Sequence, residues 1–448
     1  MTDGLTEGQQ QPAGKREHPA AAENDKTTAI VVTPQVPDVH PDADAGADVR
    51  PRVILLGSGE LSRELAIALQ HLGAGVIAVD EYAAAPAHRV ADHSLVFTMT
   101  DADELSRVIE RLKPDFVVTA AHAVSVDALD ALAAGPGKLT ELVPSARTVR
   151  LTADREALRR LAADQLGLPT APFWFVGSVG DLKAVAAHAG FPLLVKPVAG
   201  VAGQGHSVVA GPDDIEPAWR RAVGRAAGPE HQRVLAETVV EIEFYVTLLV
   251  VRSEGPDGPV IEFCAPIGHR RAEAGALESW QPQKMSTAAT DAAKSIAARI
   301  VKALGGRGVF SVELMINGDE VYFADVSARL HQSAWVTLRS QRLSAFELQA
   351  RAILGLPLDT MMMSPGAARA INPGHEVGQA SAGGSPTADA LIGALGVPES
   401  DLRVFVRGSE PGDATHQLGV ALATAPDVAT ARDRARDVAT ALARGWQP

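Results

Sequence analysis

The sequence predicts a mixed α/β and α+β protein: an open, mostly parallel sheet wrapped by helices, then a larger unit built on antiparallel strands. Three observations carry this. From Arg52 onward, apolar strand-like runs alternate with amphipathic helical segments, the βαβα pattern of a parallel sheet. Beyond Pro169 and Pro172 the texture changes to strands, a glycine-rich loop and the long apolar run EFYVTLLVVR. Finally, Val309–His331, VFSVELMINGDEVYFADVSARLH, reads as two strands around the turn Asn317-Gly318-Asp319-Glu320.

In chain order, residues 1–50 are rich in Gln, Pro, Ala and Asp, and TTAIVV is their only apolar patch, so a disordered tail is expected there. RVILLGSGELSRELAIALQHLGAGVIAVDEY then gives strand, glycine turn, helix and strand, with Asp80 closing the second strand. HSLVFTM, the helix ELSRVIERLK, KPDFVVTAAHAV and DALDALAAG continue the alternation. A helix over Arg155–Leu166 leads to the strand PLLVKPV and the loop AGVAGQGHSVVA. Helices are expected over Asp213–Ala227 and Thr287–Leu304, with strands at RVLAETVV and EFYVTLLVVR between them. From about Gly366 short strands dominate (RAINPG, DLRVFVRG, HQLGVALATA) before a terminal helix at Val428–Arg444.

Composition narrows the function classes. A chain of 448 residues, 46% hydrophobic, can bury large cores in two or three domains. The net charge of −13, with no basic block, argues against a nucleic-acid or anionic-membrane partner. Cys264 is the only cysteine, which excludes disulfides within the chain and thiolate metal clusters. Its apolar setting, VIEFCAPIG, marks a core residue. No run of about 18 apolar residues and no signal-peptide layout are present, so a cytoplasmic enzyme is expected.

The hairpin carries the sharpest chemical signal. A three-residue loop at 318–320 sets Asn317 against Val321 and Glu313 against Asp325, whereas a two-residue loop breaks that opposition. Opposed side chains lie roughly 5 Å apart, and two like charges there repel unless a cation sits between them. Paired carboxylates suit Mg²⁺, which leaves its other positions to water and phosphates. The alternative is a solvated hairpin face. Lys196 ends a strand just before the glycine-rich loop, where an ammonium and close backbone N–H groups grip phosphate oxygens. The alternative is a lysine with its head in water. Glu237 ends RVLAETVV, either at a nucleobase edge or solvated, and Arg329 follows Asp325 by four residues, within reach of a transferring phosphoryl group. GSGELS lacks the third glycine of a dinucleotide turn, since Ser62 stands there. Its N–H groups at a helix start suit an anion or carboxylate.

Lys196 with its glycine loop, then AETVV, ESWQPQ (278–283) and VEL…ADVSAR, in this order, resemble the ATP-grasp superfamily. GSGELSRELAIA, LTADREALRRLAA, GHRRAEAGALESWQPQ and LGVALATA resemble the formate-dependent glycinamide ribonucleotide formyltransferases of purine synthesis, over residues 51–445. The resemblance implies a preATP-grasp domain (51–152), an ATP-grasp domain (153–365) and a small β-rich C-terminal domain (366–448) in a homodimer, with ATP and Mg²⁺ as cofactors. It implies that ATP converts a small carboxylate to an acyl phosphate, which an amine attacks. Catalysis of the first step is then mainly positioning and charge neutralisation. By resemblance, Arg155, Lys196 and the loop residues Gly203, Gln204 and Gly205 meet phosphates. Glu237 and Val240 meet adenine, and Glu313 and Asp325 hold Mg²⁺. Lys196 and Arg329 act on the transferred group, and Glu60 and Leu61 lie at the acceptor.

The sequence departs from that pattern in both substrate regions. The family loop SSSGKG is Gly200-Val201-Ala202-Gly203-Gln204-Gly205, and the ribose-binding glutamate falls at Tyr245, with Glu243 near in register. The acceptor carboxylate of SPRPHD becomes Gln332, and a substrate glutamate of EIEAI falls at His122. A phosphate-clamping arginine pair is His416-Gln417, with Arg407 at the family lysine. Losing two bidentate cations removes much of the phosphate grip. The expectation is therefore a repurposed ligase joining formate or another small carboxylate to an amine other than glycinamide ribonucleotide. The alternatives are the ordinary formyltransferase and a catalytically degenerate ATP-grasp binding module. A dehydrogenase built on GSGELS is disfavoured by Ser62.

Overall fold

A computed structural model describes residues 50–121, 123–135, 140–198, 205–224, 233–255, 258–272, 275–372, 385–405 and 417–447. The tail at 1–50 therefore lies almost wholly outside the described residues.

The N-terminal part is a five-stranded parallel sheet. Its central strand Arg52–Leu56 pairs with Gly75–Asp80 on one side and Phe116–Thr119 on the other. Val53 to Leu56 are fully buried, as a strand covered on both faces requires. The glycine turn holds itself: Gly57 N–H donates to Val79 O at 2.9 Å, and Ser58 N–H to Asp80 Oδ2 at 2.6 Å. Gly57 has φ +103°, and a Cβ there would lie 2.6 Å from Ala121 N, so only glycine fits. The helix Glu60–His71 follows.

A four-stranded antiparallel sheet comes next, with Phe173–Val176 at one edge, then Val234–Thr238, Leu193–Pro197 and Ser207–Val209. The edge strand was not marked in the sequence beyond the prolines Pro169 and Pro172 that precede it. The helix expected over Arg155–Leu166 is α-helical over Arg155–Arg160 and π-helical over Leu161–Gln165. The helix expected at Asp213–Ala227 is observed as Ile215–Val223, after a 3₁₀ turn at Pro212–Asp214. Thr287–Leu304 and Val428–Arg444 match their expected bounds.

The largest sheet has nine strands. Its backbone is the twelve-residue strand Phe244–Gly255, paired with Gly308–Asn317 and Ile267–Arg271. The C-terminal strands Gly366–Ile371, Gly419–Thr424 and Ser400–Val404 do not form a sheet of their own. They extend this one through Leu277–Gln281. The motif ESWQPQ is the joint: Glu278, Ser279, Trp280 and Gln281 are all buried. Glu278 accepts from Arg432 Nε at 2.9 Å and Arg270 Nε at 2.8 Å, and the Arg432 guanidinium stacks 4.0 Å from the Trp280 ring centroid. The strand is thereby fastened to the terminal helix, so this motif is architectural.

Candidate active site

The carboxylate hairpin is formed by Gly308–Asn317 and Glu320–Ser327. Its loop is the two-residue one, Gly318-Asp319, with Asn317 opposite Glu320. The expected three-residue loop is thus corrected, and by itself the shorter loop would displace Glu313 from Asp325. A β-bulge restores the opposition: Leu314 pairs with Phe323, the register then shifts, and Glu313 pairs with Asp325. Ala324 is the extra residue. The like-charged pair exists because the strand was re-aimed.

Glu313 is held by neighbours from three other segments. His269 Nε2 lies 2.8 Å from its Oε2, and Thr247 Oγ1 donates to Oε1 at 2.7 Å. Thr247 lies 2.8 Å from Ser333 Oγ, which in turn lies 2.9 Å from His331 Nδ1. Burial acts to raise the Glu313 carboxyl, but the His269 hydrogen bond, the charges of His331 and His269 and the Thr247 hydroxyl outweigh it. The group is held below the usual carboxylate range. Burial lowers the His331 imidazole against the pull of Glu313.

Asp325 is exposed, with its Oδ1 accepting the Val326 N–H at 2.8 Å. The protein mass around it pushes its carboxyl up, opposed by the charges of Arg155, Arg159 and Lys196. Arg329 is brought down to about 10 by burial, with Asp325 opposing, and stays cationic at neutral pH. Two opposed carboxylates, one held by hydrogen bonds and one exposed, fit Mg²⁺, which takes one or two carboxylates and completes its shell elsewhere.

On the facing sheet, Glu237 is buried and its two oxygens are taken by Lys196 and Arg159. Glu237 is thus an anchor for cations in this conformation rather than an exposed base reader. Val240 lies on the segment after it and is half-buried. Arg159 also donates to Phe323 O at 3.3 Å and Ala324 O at 3.2 Å, tying this sheet to the bulge of the carboxylate hairpin. The sequence reading missed Arg159. Its signal was the spacing of four from Arg155, which puts both on one helix face. Arg155 donates to Pro197 O beside Lys196. His206, next to Gly205, has its buried Nε2 without a hydrogen-bond partner among the described residues. Burial and the charges of Lys196 and Arg155 lower its pKa to about 4. An unpartnered imidazole nitrogen near two cationic side chains fits a phosphate-binding surface. Gly205 has φ +73°, and a Cβ there would press on Pro197.

Tyr245 is exposed and stacks on His269, ring centroids 6.2 Å apart at 27°. Glu243 is exposed, and its N–H donates to Ile316 O at 2.8 Å. His269 was not singled out from sequence. Of the acceptor candidates, Glu60 and Leu61 open the first helix, Gln332 opens the turn Gln332–Val336, and Gln417 is buried. Gly203, Gln204, His122, Arg407 and His416 lie outside the described residues.

Residues 51–153 match the ribonucleotide synthetase preATP-grasp domain, and residues 161–346 the ATP-grasp domain. A formate-dependent phosphoribosylglycinamide formyltransferase from Corynebacterium glutamicum is 47% identical over 393 residues, covering 87% of this chain and 94% of that protein. The chain belongs to the formate-dependent phosphoribosylglycinamide formyltransferase family. A Rhodococcus jostii member of this formyltransferase family is 46% identical with the same coverage. A solved structure, described as glycinamide-RNase-transformylase T from Mycobacterium tuberculosis, is 67% identical, covers 87% of this chain and 99% of its own, and has a TM-score of 0.74. An N5-carboxyaminoimidazole ribonucleotide synthetase from Thermotoga maritima shares the fold at 22% identity, with a TM-score of 0.71. As an ATP-grasp enzyme of the formyltransferase family, this chain uses ATP and Mg²⁺. No helix among its described residues is long and apolar enough to cross a membrane.

Proposed function

We propose that the chain is an ATP-dependent formyltransferase that joins formate to the amine of phosphoribosylglycinamide. The observation that carries this is the end-to-end match to formyltransferases, over 94% of the relative's length, in a chain whose hairpin sets Glu313 against Asp325. The sequence alone favoured a different acceptor, because Gln332, His122, His416 and Gln417 replace expected charges. A match at 47% identity over 94% of the relative's length outweighs those replacements.

ATP supplies the phosphoryl group that makes a formate oxygen a leaving group, so the amine can form the amide bond as phosphate departs and a proton is released. The protein's part is placement. Glu313 and Asp325 would hold Mg²⁺, and Arg155, Lys196 and His206 would meet phosphate oxygens. Arg329 would face the transferred group across the cleft from Asp325. Charge for the acceptor's phosphate is supported by a cluster at the first helix. Arg403 lies 3.3 Å from Glu64 and 3.0 Å from Asp401, Arg63 2.9 Å from Glu64, and Arg339 3.9 Å from Asp401. Glu64 is one turn from Glu60, and Val404 pairs with Gly419, two residues beyond Gln417. A cytoplasmic homodimer accompanies this reading.

The test is ADP release by purified protein with MgATP, formate and phosphoribosylglycinamide, each omitted in turn. Release that needs all three, with formylated product, supports the reading. Folded protein that binds MgATP but leaves this acceptor untouched sinks it and restores the search for another amine.

A further inference from the structure

We infer that His269, braced by the Tyr245 ring, is a positioning residue that aims the Glu313 carboxylate at the metal. This deepens the proposed function and rests on its assignment of Glu313 as a Mg²⁺ ligand. Tyr245 pairs with His269 across two antiparallel strands, and Thr247, two residues along the same strand, pairs with Glu313 on the other side. Alternation along a strand puts Tyr245 and Thr247 on one face. The face therefore carries a row in which Tyr245 stacks on His269 while His269 and Thr247 both reach Glu313.

An ionised carboxylate only accepts hydrogen bonds, so His269 carries its proton on Nε2 and donates it to Glu313. Each carboxylate oxygen then has one protein donor, His269 on Oε2 and Thr247 on Oε1, and keeps a lone pair for a cation. His269 is 13% exposed and Glu313 20%, so both are largely shielded from competing water. A ring with stacking on one face cannot swing freely, and Tyr245 supplies that restraint from the exposed side. Residues that orient a metal ligand in this way typically change metal affinity 10- to 100-fold when removed.

The experiment measures Mn²⁺ binding to the full chain by electron paramagnetic resonance, with and without ADP, for wild type, H269A, H269Q, Y245A, Y245F and E313Q. Expected are binding by wild type and a loss of roughly 10- to 100-fold in H269A. H269Q should recover part of it, since its amide still donates. Y245F should bind within a few-fold of wild type and Y245A more weakly, since only the second removes the stack. In turnover, H269A should raise the Mg²⁺ concentration for half-maximal rate far more than it lowers kcat. Wild-type Mn²⁺ affinity in H269A, or H269Q no better than H269A where both are folded, would overturn the inference. Undiminished binding by E313Q would instead remove the metal assignment beneath it.

Discussion

Glu278→Gln tests whether the ESWQPQ strand is an architectural joint. The Glu278 side chain is 2% exposed and accepts from Arg432 Nε at 2.9 Å, Arg432 Nη2 at 3.2 Å and Arg270 Nε at 2.8 Å. Burial acts to raise its carboxyl, but the hydrogen bonds and charges of Arg432 and Arg270 outweigh this and hold it below the ordinary range. Breaking a buried pair from one side costs about 3–5 kcal/mol. Arg270 is 57% exposed and Arg432 23%, so solvent screens part of the loss, and about 2–3 kcal/mol is expected. The sign with pH follows from the lowered carboxyl. Its stabilisation is fully present above the unfolded value, near 4.3, and is lost as pH falls through the folded value. The gap between wild type and Glu278→Gln should therefore be full at pH 7, begin to narrow as pH falls below the unfolded value, and close once pH is below the lowered folded value. Urea unfolding of both proteins across that range, followed by tryptophan fluorescence, measures it. A gap under about 1 kcal/mol at pH 7, or one that acid leaves unchanged, would refute the reasoning.

Arg159→Met should destabilise by about 3–5 kcal/mol and weaken ATP binding, because it leaves Phe323 O and Ala324 O without their donor and Glu237 with one partner. Arg159→Lys should recover only part, as a point charge cannot span both strands, and calorimetry with denaturation reads both effects. Asp325→Asn should cut Mg²⁺-dependent ADP release by about 100-fold or more, while leaving the urea midpoint near wild type because the side chain is solvent-exposed. Cys264, buried and with its thiol pushed up to about 12, should resist alkylation at pH 8 until the protein is unfolded, as mass spectrometry would show. Gly57→Ala should cost about 2 kcal/mol or more, from the positive φ and the approach to Ala121, and proteolysis near the first turn should quicken.

The sequence alone determined the alternation of the first sheet, the helices at Thr287–Leu304 and Val428–Arg444, and the order Lys196, Glu237, Glu313, Asp325. These are readable because side-chain periodicity and turn residues are local properties of the chain. Tertiary structure decided what depends on register and on partners far along the chain. Glu313 faces Asp325 only because a bulge at Ala324 undoes the shift made by a two-residue loop, and no periodicity announces one extra residue. His269, 44 residues from Glu313, and Arg159, 78 from Glu237, were brought to these carboxylates through strand pairing and packing. The same long-range pairing drew the C-terminal strands into the central sheet, since Gly366–Ile371 satisfies its backbone against Leu277–Gln281 and Gly419–Thr424. Which residues can bear the chemistry was written locally; which of them meet was settled by backbone hydrogen bonds between distant strands.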